Sequence, residues 1–258
     1  MAGVAFFTRI LNIKRALLVR LRDERTLARY RVGADFPLLA TLRLGGAVGN
    51  EWNGRVRELS AFGLSLRLPP GATAVRNEAT TVRFELEGRQ LAVPCTVAHI
   101  RTQPAYTLCG LRLEFADFAQ QGAWQQIVEA VTLGASFALV EGSRAPRPAL
   151  GLARRQWRSC NKSRLTEWRE TGTRQLDRFE LVLEEYRFAG RTGGGGLEIQ
   201  SIASGRAASS GVEVELHQLF LWVLANFPAS VPADLKAFML RTATTLASQS
   251  RRQTHGTF

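Results

Sequence analysis

Two short stretches carry side chains whose types and spacing could do chemistry. RTLARYRV brings the guanidinium groups of Arg25, Arg29 and Arg31 together, and ELSAFG sets Glu58, Ser60 and Gly63 at i, i+2 and i+5. Guanidinium forks donate paired hydrogen bonds to phosphate oxygens and to the O6 and N7 acceptors of guanine. A carboxylate accepts the guanine N1 and N2 protons, and a serine adds a hydroxyl contact. A glycine lets the backbone turn sharply and lets a ligand approach. The combination suits a guanine nucleotide with several phosphates; an ordinary sheet turn is the other reading of the same corner.

The remaining candidates have plainer explanations. His99 falls in an alternating strand, His217 opens an apolar helix, and His255 lies in the tail, so structural roles are expected. Cys95, Cys109 and Cys160 are odd in number and lack metal-ligand spacing, which points to a reducing compartment. Gly193 to Gly196 are followed by neither Lys-Ser/Thr nor a helix, so they read as a loop between strands rather than a phosphate cradle. No paired carboxylates and no Ser-His-Asp pattern stand out. The expectation is a protein that is not an enzyme, with no metal site and no cofactor.

The elements that must position these residues follow from charge and periodicity. The chain has 258 residues, 45% of them hydrophobic, with a net charge of +12 and a pI near 11.0. Lysine occurs only as Lys14, Lys162 and Lys236, so the excess is arginine, concentrated in residues 9–31 and 144–178. Nucleotides, nucleic acid, acidic proteins and anionic membrane faces all suit such a charge. No apolar run reaches the roughly 18 residues of a membrane span, and the expectation is a cytoplasmic protein. Residues 5–22, AFFTRILNIKRALLVRLR, have apolar side chains at three- and four-residue spacing with arginines largely elsewhere. This predicts a basic amphipathic helix within residues 1–24, packed on the following domain or a partner subunit, with peripheral membrane contact as the alternative.

From Asp35 the pattern alternates as in strands. DFPLLATLRL, GRVREL, FGLSLRL, TTVRFEL, LAVPCTVAHIR and TLCGLRLEF are six such segments, with GGAVGNEWNG and Pro69-Pro70-Gly71 as turns and EGRQ as a hairpin connection. Six strands joined by short turns predict an antiparallel barrel or sandwich. Asp117 reads as the N-cap of a helix whose Phe118, Trp124, Ile127, Val128 and Val131 would cover it. Residues 25–135 are therefore expected as one domain, 136–158 as a Pro-, Gly- and Arg-rich linker, and 159–258 as a smaller α+β region of unknown role. There RFELVLEEYRFAG and LEIQSI read as strands, and HQLFLWVLANF and PADLKAFMLRTATTLAS as helices, the first apolar enough for a homodimer interface.

On RTLAR, ELSAFG and this element order the chain resembles the PilZ domain family. That family carries RxxxR before its first strand and [D/N]xSxxG at the turn between its second and third. The resemblance implies a six-stranded antiparallel barrel with a closing helix, and a receptor for the bacterial second messenger cyclic di-GMP. It implies Arg25 and Arg29, with Arg31 in reserve, on the phosphates and guanine edges, and Glu58, Ser60 and Gly63 at the barrel face. Ordering of residues 23–33 would then carry the signal to a protein partner. Both motifs depart from the pattern: Glu58 stands for Asp or Asn, and Arg31, followed by Val32, fits the register better than Arg29 but has Leu27 as its partner four residues back. The alternative is a degenerate PilZ-like adaptor that binds no nucleotide and acts through protein or membrane surfaces. Nucleic acid is not expected as a partner, because no groove-reading helix or exposed aromatic stack is evident.

Overall fold

A computed structural model describes Phe6, Phe7 and residues 28–46, 49–142, 146–147, 151–161 and 163–254. The chain divides into two units, Met1–Thr132 and Leu133–Phe258. The first holds β1 (Tyr30–Arg31), β2 (Leu38–Leu44), β3 (Asn50–Ser60), β4 (Gly63–Leu68), β5 (Ala79–Leu86), β6 (Arg89–Gln103) and β7 (Tyr106–Leu113). Strands pair in the order β3-β2-β5-β6-β7-β4, and β4 returns to β3, closing the six-stranded antiparallel barrel that the resemblance implies, where alternation alone left barrel or sandwich. β1 adds a two-residue rung to the free edge of β3.

Period-two alternation fills the barrel. Leu42 and Leu44 of β2, Val82, Phe84 and Leu86 of β5, Val93 and Val97 of β6, and Leu66 and Leu68 of β4 all point inward and are buried. Each such side chain contributes about 1.5–3 kcal/mol by leaving water. Cys95 and Cys109 belong to the same core, where burial pushes their thiols up to about 12 and about 11. The stretch Asn50–Asn53, expected as turn, instead extends β3, because Thr41 donates to Asn53 at 2.8 Å and Glu51 pairs with Arg83 across the sheet. The shorter turn that remains is held by Glu78, whose carboxylate accepts the N–H groups of Gly45 at 2.6 Å and Gly46 at 3.1 Å.

Two β-bulges interrupt the alternation, one between Val56 and Glu58 of β3 and one between Val97 and His99 of β6. At the first, Val56 pairs with Leu66 and Glu58 with Ser65, so Arg57 is an extra residue. The phase inverts there: Val56 and Leu59 are both buried although three residues apart.

Helix α1 (Phe118–Ala135) follows, capped by Asp117, whose Oδ1 accepts the Gln120 N–H at 2.7 Å. Trp124 is fully buried, with its ring 4.8 Å from that of Phe84. Phe118, expected to cover the barrel, is 92% exposed instead, since the cap turns the first helical residue outward. Phe6 and Phe7 are buried; both backbone N–H groups donate to Gln126 Oε1, and Arg89 donates to the Phe6 carbonyl at 2.9 Å. The rest of the helix expected over residues 5–22 lies outside the described residues.

The second unit contains β8 (Ala138–Leu139), β9 (Pro146–Arg147), β10 (Leu152–Arg158), β11 (Arg164–Glu170), β12 (Leu176–Leu183), β13 (Tyr186–Arg191) and β14 (Glu198–Ser201). They form an antiparallel sheet in the order β14-β13-β12-β11-β10-β8, with β9 also on β10. Helices α2 (Ser210–Ala225) and α3 (Ala233–Thr254) cover one face: Phe220 lies 5.4 Å from Phe188, and Phe238 lies 5.7 Å from Phe179. Residues 152–158, read from composition as linker, are therefore a strand. Its arginines mimic a solvated loop, but β10 is paired along both edges and its Arg155 bonds the buried Glu167. RFELVLEEYRFAG is two strands with a tight turn at Glu184, φ 50°. His217 Nε2 lies 3.1 Å from the Ala243 carbonyl and links the two helices. No helix among the described residues is long and apolar enough to cross a membrane.

Candidate functional site

The bulge decides which way the motif residues face. With Leu59 turned inward, Glu58 and Ser60 fall on the outer face of β3. β1 then runs antiparallel to this stretch, pairing Tyr30 with Leu59 and Arg31 with Glu58, while Val32 donates its N–H to the Arg57 carbonyl at 2.9 Å. Arg31 is exposed and directly across from Glu58 in register. Arg29, just before β1, is exposed too. Arg25 lies outside the described residues.

The corner is pinned from three sides. Ser60 pairs with Gly63, leaving Ala61 and Phe62 as a two-residue turn, and the Ser60 hydroxyl donates to the Gly63 carbonyl at 3.2 Å. Trp124 Nε1 donates to the Ser60 carbonyl at 3.1 Å, and Leu113 N–H to the Phe62 carbonyl at 2.9 Å. Gly63 is required by close approach rather than by a left-handed turn: a Cβ there would meet the Leu111 carbonyl oxygen at 2.8 Å. Ser60 is only 8% exposed, so most of its surface is committed to the fold.

Strand pairing joins further residues that lie far apart along the chain. One transverse row on the outer face runs Arg31, Glu58, Ser65, Gly110 and His99. The His99 ring lies over Gly110, where a Cβ would stand 2.1 Å from its Cε1. The next outward row sets Arg55 of β3 directly opposite Arg67 of β4. Like charges at directly opposed positions destabilise a sheet, and neither arginine has an ion-pair partner among the described residues. The Arg67 guanidinium lies 4.3 Å from the centre of the Tyr106 ring. Arg57 in the bulge completes the set.

Arg55, Arg57, Arg67 and Tyr106 line a cleft of about 540 Å³, whose other wall is the connection at residues 32–39. That connection exists because residues 30–31 and 39–44 lie along the same edge of β3, and the chain between them bows away from it. The result is three guanidinium groups and an aromatic ring in one cleft with Asp35, open to solvent, and Glu58 lies outside that lining. Chemically it can take an anion with a planar, hydrogen-bonding ring.

A family model described as PilZ domain matches residues 4–132. Among solved structures, one described as the crystal structure of the PilZ domain of CeSA from a cellulose-synthesising bacterium matches with 14% identity and a TM-score of 0.31. That match covers 39% of this chain and 94% of the other. No curated protein matches the chain. The family match spans half the chain, and it falls on the closed six-stranded barrel, its helix and the corner that carries ELSAFG. The chain belongs to the PilZ domain family.

Proposed function

We propose that this protein is a cyclic di-GMP receptor whose ligand binds on the outer barrel face between β1, β3 and β4. The observation that carries the reading is the group of Arg55, Arg57 and Arg67 in one cleft, none with an ion-pair partner among the described residues and with Arg31 and Glu58 on the adjoining row, since phosphates would supply the missing negative charge. Arg31 and Arg29 bind phosphate and guanine edges; Glu58 accepts guanine N–H groups. Arg67 and Tyr106 offer a flat surface for a base, with Arg25 joining from outside the described residues. Each arginine contact contributes about 1.5–3 kcal/mol, enough to bias a segment between two arrangements and to report to a protein partner.

A second reading, an adaptor that binds no nucleotide, draws on Ser60. Its hydroxyl is already given to Gly63 and its surface is nearly all covered. Titration calorimetry with cyclic di-GMP, with GMP as control, separates the two. The receptor reading expects saturable binding that weakens about tenfold or more in Arg31→Ala. Weakening in Arg29→Ala as well shows that the arginine just before β1 takes part with Arg31. A folded sample that gives neither heat nor a thermal shift refutes the receptor and leaves the adaptor.

A further inference from the structure

The face of the second unit's sheet that α2 and α3 do not cover has a pattern visible only through strand register. One row crosses four strands: Arg154 of β10 pairs with Trp168 of β11, Trp168 with Arg178 of β12, and Arg178 with Arg191 of β13. Two residues further along, Gln156, Thr166 and Glu180 make a polar row, with Gln156 Nε2 donating to Thr166 Oγ1 at 3.3 Å. The row beyond holds Arg164 and Arg187, both of which bond Glu180, at 3.3 and 2.7 Å.

The first row is different. The Arg178 guanidinium lies 4.8 Å from the centre of the Trp168 ring, and its contact with Asp177 is long, at 3.8 Å. Arg154 and Arg191 have no ion-pair partner among the described residues. Adjacent strands lie about 4.8 Å apart, so this row of cation, aromatic, cation and cation spans about 14 Å. A flat row of that kind does not enter a duplex groove. It offers what an unpaired strand needs: a ring with a stacked guanidinium for a base, and cations on both sides for the phosphates.

We infer that the open face of the β10–β13 sheet binds single-stranded nucleic acid, with Trp168 and Arg178 stacking on a base and Arg154 and Arg191 holding flanking phosphates. The inference is independent of cyclic di-GMP binding, because the whole row lies in the second unit. An acidic protein is the competing polyanion; it would use the arginines but gain nothing from the ring.

The test is fluorescence anisotropy of a short labelled oligothymidylate with the full chain over a salt series. With two arginines on phosphates, log K falls with log salt at a slope of about −1.4. The Arg154→Ala/Arg191→Ala double variant brings the slope to about zero. Trp168→Ala weakens binding about tenfold and leaves the slope unchanged. Trp168→Phe keeps the stack and most of the affinity, which answers the objection that the alanine variant is merely misfolded. Cyclic di-GMP in excess does not displace the oligonucleotide. Absence of binding at low salt overturns the inference. So does displacement by cyclic di-GMP, which puts the strand on the barrel. Binding that polyglutamate competes equally well and that Trp168→Phe and Trp168→Ala leave alike also overturns it, in favour of an acidic protein.

Discussion

On the outer face of the barrel Arg55 stands opposite Arg67 with no described carboxylate bonded to either, whereas in the second unit Arg155 and Arg169 share one carboxylate, that of Glu167. Glu167 is fully buried, and Arg169 also reaches Asp234 at 2.7 Å, tying the sheet to the start of α3. The same side chain is thus a structural part in one place and an unfilled position in the other. The difference is compensation: a guanidinium given its anion by the fold has little left to offer a ligand, and one left without it is disposed to take an anion from solution.

The strongest way to break this comparison is Glu167→Ala, which removes the shared anion and leaves two partly buried guanidinium groups without it. A loss of about 3–5 kcal/mol is expected in denaturant unfolding of the second unit. A loss below about 1 kcal/mol would mean that water already serves these arginines, as it does on a surface.

Acid sharpens the same point. The hydrogen bond from Arg169 holds the Asp234 carboxyl below its ordinary range. Because the folded value is the depressed one, the stabilisation is complete above the unfolded value and is lost as pH falls through the folded one. Asp234 is 61% exposed, so screening limits the effect to less than about 1 kcal/mol. Asp234→Asn should cost that amount at neutral pH, and the gap from the native protein should close on acidification. A gap that is constant with pH would assign the loss to packing instead.

The smallest effect carries the most information. Arg55→Gln relieves a like-charge pair, so the barrel should gain a few tenths of a kcal/mol in thermal unfolding at low salt. Cyclic di-GMP affinity should fall in the same variant. Stability and binding moving in opposite directions is the signature of a residue kept for its ligand. If both fall, Arg55 is structural and the contrast between the two units disappears.

The barrel was legible because its signals are local. Alternating runs such as TTVRFEL show their buried face in the sequence itself, and Asp117 announces its helix three residues ahead of the N–H it accepts from Gln120. The ELSAFG corner was equally visible, since two strands end there. What stayed hidden is what pairing creates. Arg55 meets Arg67 only once β3 and β4 are in register, and Arg154, Trp168, Arg178 and Arg191 come from four strands. β10 was missed for a related reason: its residues are mostly half-buried, so no alternation marks them, and its strand character comes from its neighbours. β1, at two residues, is too short for any period to show.

The bulge at Arg57 separates two kinds of constraint on a sequence. As the extra residue of a bulge, position 57 leaves Glu58 on the surface and Leu59 in the core. Removing Arg57 would close the bulge and leave plain alternation, with Val56 inward, Glu58 outward and Leu59 inward. The cost of that deletion would fall on the local twist and on the cleft that Arg57 lines, not on which residues are buried. Alternation thus fixes the core of this strand, and the insertion adds a guanidinium to its outer face.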